Sequence, residues 1–177
     1  MTSPEPQRCV QTILVMGVSG SGKTTIGSRL ARRLGCGFSD ADEFHSAANK
    51  AKMAHGIPLT DEDRQPWLRD MRAAIEARQR EGGRHVFACS ALKRAYRDLL
   101  RREDENLLMV FLDGPEHLLA ERLGGRSGHF FDPALLNSQL QALERPGPAE
   151  AWTLDIRLSV EELVEDLARR IERLPQP

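Results

Sequence analysis

The stretch Gly17-Val18-Ser19-Gly20-Ser21-Gly22-Lys23-Thr24 carries the spacing G-x-x-x-x-G-K-[ST], and each residue type in it suits the grip of a chain of phosphates. Glycines let successive backbone N–H groups turn inward around phosphate oxygens, and a helix opening at the end of the loop adds the positive end of its dipole. Lys23 is placed to reach the β- and γ-phosphates. The hydroxyl of Thr24 is placed to ligate Mg²⁺, which bridges those phosphates, and Thr25 continues the nucleotide contact into the helix. At average residue frequencies the pattern arises by chance in on the order of one chain in a hundred of this length. Its setting strengthens it, because the apolar run Ile13-Leu14-Val15-Met16 precedes it and a helical stripe follows.

A phosphate loop binds a nucleotide but does not by itself transfer anything. The carboxylates in Phe38-Ser39-Asp40-Ala41-Asp42 are candidates for that work. If the backbone is extended there, Asp40 and Asp42 project to the same side, so Asp40 can support Mg²⁺ through water while Asp42 accepts the proton of an acceptor hydroxyl. A loop of helix-capping acids is the equally weighted alternative. Arg122 and Arg126, interleaved with Gly124, Gly125 and Gly128, suit a lid over 122–132 that carries guanidinium groups onto the γ-phosphate and excludes water. Solvated arginines on a Gly-rich loop are the plainer reading of the same residues. Asp113, after the apolar run 107–112, imitates a Walker B carboxylate, but Asp113-Gly114-Pro115 reads better as a turn in which Asp113 caps a helix starting near Glu116. Asn49-Lys50-Ala51-Lys52 lacks the aspartate that reads guanine, which removes a GTPase switch.

Stepping these residues into place requires alternating elements. Short apolar segments at 12–16, 36–39, 85–89, 107–112 and 152–154 alternate with longer amphipathic ones, the pattern of an α/β domain with a parallel sheet covered by helices on both faces. Ile26, Leu30 and Leu34 predict a helix over 24–34 that ends at Gly35. Thr60 is a predicted N-cap, with Pro66 opening a helix to about Arg80. Ser90 is read as opening a helix over 91–102. Ser159-x-x-Glu162 is a capping box before Leu163, Val164, Leu167 and Ile171.

The chain has 177 residues, enough for one domain, with residues 1–9 read as a disordered tail and 10–177 as the folded unit. Its 25 basic and 26 acidic residues nearly cancel, which argues against a nucleic-acid partner. The longest apolar run is too short to cross a bilayer, so no membrane partner is expected. Three cysteines without a C-x-x-C pair point to a reducing cytoplasm.

Further blocks carry a resemblance: Asn49-x-x-Lys52-Met53; Gly56-Ile-Pro-Leu-Thr-Asp-Glu-Asp-Arg-Gln-Pro-Trp-Leu68; Cys89-Ser-Ala-Leu-Lys93 with Tyr96-Arg97; and Arg126-Ser-Gly-His-Phe130. Together with the loop and Asp40-Ala-Asp42 plus His45, the chain resembles the gluconate kinase family of P-loop NTPase-fold kinases, related to shikimate and adenylate kinases. The resemblance implies a nucleoside-monophosphate-kinase-like parallel sheet flanked by helices, with a small lid. It also implies ATP and Mg²⁺ as cofactors, D-gluconate as substrate and phosphorylation at its 6-hydroxyl. Family members often form homodimers. A linear sugar acid needs a cation for its carboxylate and hydrogen bonds for its hydroxyls, so Arg64, Lys93 and Arg97 are candidates for the first, with Asp42, His45 and His129 for the second. A kinase for shikimate or a nucleoside monophosphate is the alternative. The sequence departs from the family pattern at Ser46 and Leu140.

If Asp42 orients or deprotonates the attacking hydroxyl, Asp42→Asn should lower kcat by roughly 10²–10⁴ with ATP binding retained. Steady-state kinetics beside nucleotide titration decides this, and near-normal turnover removes Asp42 from the catalytic role.

Overall fold

Every residue of Thr12–Met16 is buried, and this strand, β1, lies at the centre of the sheet. The computed structural model describes residues 9–125 and 133–177. Apart from Cys9, the expected N-terminal tail lies outside the described residues, as do Arg126, His129 and most of the expected lid. Beside β1 run β3 (His85–Ala88) and β4 (Leu107–Asp113), and the edges are β2 (Gly37–Asp40) and β5 (Trp152–Asp155). The order is β2-β3-β1-β4-β5 and every pairing is parallel. Register brings Asp40 level with Ala88, and Asp113 level with Asp155, so the carboxyl ends of the strands share one rim.

Burial on both faces explains the continuous apolar strands. From β1, Ile13 and Val15 point to a layer with Ile26 and Leu30 of α1 (Lys23–Leu34) and Leu163, Leu167 and Ile171 of α7 (Val160–Glu172). Leu14 and Met16 point the other way, to Trp67, Leu68, Met71 and Ile75 of α3 (Asp61–Glu81) and Tyr96 and Leu100 of α4 (Arg94–Arg101). Ser159 and Glu162 form the expected capping box, and Gly35 closes α1 at φ 67°.

Three helix starts differ from expectation. α3 begins at Asp61 with Thr60 as its expected N-cap, but no separate helix opens at Pro66, because Thr60 and Asp63 exchange side-chain-to-backbone hydrogen bonds and nucleate the turn upstream. Pro66 then lies inside the helix at the cost of one backbone bond. α4 begins at Arg94 rather than 91. Ala91 takes φ 45° and breaks the helical path, so Ser90 opens nothing. Asp113 does not cap α5 (Glu116–Gly124); Pro115 takes the cap position, and the Asp113 carboxylate accepts from Arg145 Nη1 at 2.6 Å. The remaining helices are α2 (Ala47–Ala54), started by the Ser46 hydroxyl on the Asn49 N–H, and α6 (Pro133–Ala142).

Two arginines are built into the helical layer. Arg72 of α3 donates to the Leu100 carbonyl at 2.8 Å and to Asp104 at 3.0 Å, tying α3 to the end of α4. Arg97 is 1 % exposed. Its Nε meets Glu150 at 2.5 Å, and Nη1 donates to the carbonyls of Ala91 and Leu92 at 3.1 and 2.9 Å.

For Glu150, burial favours the neutral acid, yet hydrogen bonding and charge from Arg97, with help from Arg101 and Arg94, outweigh it and hold the carboxyl below its usual range. A carboxyl depressed by folding contributes stability that is complete above its unfolded value, about 4.3, and is lost as pH falls through the folded value. Glu150→Gln should therefore destabilise by about 1–3 kcal/mol at neutral pH, with the gap to wild type closing below about pH 4. Denaturant midpoints across pH measure both.

Candidate active site at the carboxyl ends of β1, β2 and β3

The phosphate loop leaves β1 and curls so tightly that side chains are excluded from it. At Gly17 (φ 151°) a Cβ would stand 2.7 Å from Ser21 Oγ and 3.0 Å from the Leu112 carbonyl. At Gly20 (φ 83°) it would stand 2.9 Å from the Leu119 carbonyl and from Leu123 Cγ. No side chain caps α1 at Gly22, so its first-turn N–H groups face the loop's concavity. Lys23 Nζ donates to the Val18 carbonyl at 3.1 Å, folding the ammonium over the loop. The Ser21 hydroxyl is buried with no hydrogen-bond partner among the described residues. Thr25 is exposed on the same turn as Thr24. Arg122 donates to the Ile156 carbonyl at 2.7 Å, and its Nη1 would lie 4.0 Å from a Cβ on Gly22, beside the loop.

The acceptor side begins where β2 ends. Thr24 Oγ1 donates to Asp40 Oδ2 at 2.7 Å, and the Asp42 N–H donates to Asp40 Oδ1 at 3.0 Å. Asp40 thus caps a short 3-10 turn, Ala41–Phe44, and the extended backbone expected through Asp42 is replaced by that turn. Strand alternation therefore does not set the two carboxylates on one side. Asp42 is exposed, while Asp40 is the acid tied to Thr24. His45, which follows the turn, is 8 % exposed and stacks on Trp67 at 4.3 Å between ring centroids. Trp67, expected as helix core, is core and also the platform for His45; its Nε1 donates to the Ala41 carbonyl at 2.8 Å. Burial lowers the pKa of His45 against the pull of Asp42, with Arg64 and Lys50 adding to the lowering, so the ring is neutral near pH 7. Its Nδ1 is buried without a hydrogen-bond partner among the described residues.

At the start of α3, Lys93 Nζ contacts Asp61 at 2.9 Å, the Tyr96 hydroxyl donates to the same carboxylate, and Arg64 Nη1 reaches the Tyr96 oxygen at 3.3 Å. Arg64 and Lys93 are therefore brought together around one phenol. Arg97 is not with them. Its guanidinium is committed to Glu150 and two carbonyls beneath the loop, which corrects the expectation that it meets a substrate carboxylate.

Sequence reading also passed over several residues of this site. The amide oxygen of Gln139 on α6 accepts from the Ser19 N–H at 2.7 Å, reaching the phosphate loop across 120 positions of chain. Glu144, just after α6, bonds through its N–H to the Leu92 carbonyl at 2.9 Å and through its carboxylate to the Arg94 N–H at 2.5 Å. The Ser90 carbonyl accepts from the Gly17 N–H at 3.4 Å. Asp61 and Tyr96 complete the set. No local pattern announces the long-range pairs; the position of Tyr96 three residues beyond Lys93 was the signal for that one.

A divalent ion fits the oxygen donors at Thr24 and Asp40. Among the described residues no three His, Cys, Asp or Glu side chains gather into a metal cluster. Mg²⁺ normally takes one or two protein oxygens and completes its shell with phosphate and water, which this pair suits. At the far end of the rim, a cleft of about 510 Å³ is lined by Asp113, Arg145, Asp155 and Arg157. Its arginines are paired with its acids, and it stands apart from the Thr24–Asp40 contact.

A phosphate loop after the central strand of this parallel sheet, facing an acid-bearing acceptor wall, defines a P-loop small-molecule kinase, a phosphotransferase; residues 19–172 match the family described as Shikimate kinase. A probable gluconokinase of Dictyostelium discoideum is 51% identical over 166 residues, covering 88% of this chain and 83% of that one. Among solved structures, a sugar kinase from Janibacter sp. HTCC2649 is 45% identical with a TM-score of 0.84, covering 92% of this chain and 95% of that one. A gluconokinase from Sinorhizobium meliloti 1021 is 43% identical with a TM-score of 0.81 and covers 94% of each chain. The chain belongs to the gluconokinase family. No described helix is long and apolar enough to cross a membrane.

Because a Cβ at Gly20 meets backbone and the left-handed conformation opposes it, Gly20→Ala should distort the loop. We expect KM for ATP to rise roughly tenfold or more, with KM for the acceptor little changed. Initial rates over a grid of both substrates measure the split.

Proposed function

We propose that this chain transfers the γ-phosphoryl group of ATP to the 6-hydroxyl of D-gluconate, giving 6-phospho-D-gluconate. The observation that carries the reading is the hydrogen-bonded chain Thr24–Asp40–Asp42, which joins the phosphate loop to the acceptor wall in two steps. D-Gluconate bears its carboxylate at the opposite end from its 6-hydroxyl. In support, the site offers both kinds of group: Asp40 and Asp42 beside Thr24, and the cations Arg64 and Lys93 around Tyr96, with Asp42 and Arg64 both acting on His45.

In this reading Lys23 and the loop N–H groups hold the β- and γ-phosphates, with Arg122 beside them. Thr24, supported by Asp40, holds Mg²⁺. When bound, that ion would supply positive charge to offset that of the phosphates. Asp42 orients the 6-hydroxyl and takes its proton. Lys93 and Arg64 bind the carboxylate, and neutral His45 hydrogen-bonds a hydroxyl along the chain. From outside the described residues, Arg126 is assigned to the transferring group and His129 to the acceptor. Positioning and electrostatics account for the rate, since phosphoryl transfer leaves the protein little covalent work.

The test is ADP release, by a coupled assay, with D-gluconate, shikimate and nucleoside monophosphates offered in turn with ATP and Mg²⁺. Turnover with D-gluconate far above the others is expected. No rate above background with D-gluconate would sink the assignment.

A further inference from the structure

The carboxylate of Asp61 is bound by the cations assigned above to the acceptor's carboxylate. It is held by Lys93 Nζ at 2.9 and 3.1 Å and by the Tyr96 hydroxyl, and the Arg64 charge acts on it as well. These groups converge from two walls. Asp61 and Arg64 lie on the first turn of α3, whereas Lys93 and Tyr96 belong to the β3–α4 connection and to α4.

Asp61 is not the residue that caps α3. The start of α3 is already closed by the reciprocal bonds of Thr60 and Asp63, and the Asp63 carboxylate has its own cation in Lys52 at 2.8 Å. The Asp61–Lys93 pair has side chains 55% and 35% exposed, the kind of ion pair that contributes little to stability. An exposed ion pair that contributes little to stability but engages the acceptor-binding cations is a competitor for their ligand.

We propose that Asp61 is an internal stand-in for the acceptor's carboxylate, exchanged for it when a sugar acid binds. Resting on the gluconate reading above, this makes Asp61 a specificity-determining residue. Small anions that make one contact with Lys93 or Arg64 must displace a tethered carboxylate, whereas a sugar acid brings a carboxylate and a row of hydroxyls together. The effective concentration of the tethered group sets the threshold that a free anion must exceed. A neutral acceptor leaves Asp61 in place and is indifferent to its charge.

The experiment compares wild type and Asp61→Asn with D-gluconate and with D-gluconamide, its uncharged amide, which keeps the 6-hydroxyl. Removing a half-exposed competing charge should lower KM for D-gluconate roughly three- to fivefold, on KM rather than kcat, and leave KM for D-gluconamide unchanged. A rise in KM for D-gluconate, or an equal shift for both acceptors, overturns the proposal, because Asp61 would then be positioning Lys93 and Tyr96 or binding a hydroxyl. Wild-type turnover with D-gluconate separates the two readings: without it the acceptor assignment fails, and with it only the role of Asp61 is in question. Thermal melting checks the fold, and Asp61→Ser carries the same comparison if the Asn variant melts early.

Discussion

The guanidinium of Arg97, almost sealed from solvent, holds the connection between β3 and α4 in a shape that it would not otherwise keep. Ala91 lies at φ 45°, a conformation that a residue with a Cβ rarely adopts and that costs about 1–3 kcal/mol. Arg97 accepts that geometry by donating to the Ala91 and Leu92 carbonyls while Glu150 balances its charge. The bent connection then does three things at once. Ser90 receives the first N–H of the phosphate loop, Leu92 receives the N–H of Glu144, and Lys93 is delivered to Asp61. Donor loop, α6 and acceptor cations therefore meet on a few residues shaped by a single buried ion pair. Cys89, at the start of the connection, is fully buried, and burial pushes its thiol up to about 12, so it packs there as an uncharged group.

Electrostatic roles are divided along the rim by how each charge is paired. Asp40 is oriented by a hydroxyl and a backbone N–H. Asp113 and Asp155 are neutralised by Arg145 and Arg157 in their own cleft, so the carboxylate that looked like a metal ligand in the sequence is an ion-pair partner. His45 carries no charge near neutrality because burial against Trp67 outweighs the attraction of Asp42. A neutral ring beside a candidate base avoids an ion pair that would lower the base's affinity for a proton.

What could be read from the sequence was what local physics determines. The phosphate loop, the five strands to within a residue at their ends, and the caps at Gly35 and Ser159 all follow from side-chain type within a few positions. The failures share a cause. Whether Asp42 continues a strand depended on Asp40 turning back to cap the next residues, and whether Pro66 begins a helix depended on a capping pair already formed at Thr60 and Asp63. Arg97 resembled the other cations by composition, and only the packing of α4 against residue 150 shows it to be internal. The bond from Gln139 to Ser19 joins segments 120 positions apart, beyond any periodicity.

That last contact has a geometric consequence. Gln139 touches the phosphate loop, and Glu144, little more than one helical turn farther along, touches the segment that bears Lys93. The last turn of α6 and the two residues beyond it therefore work as a gauge block, spacing the phosphate loop from the segment that carries Lys93.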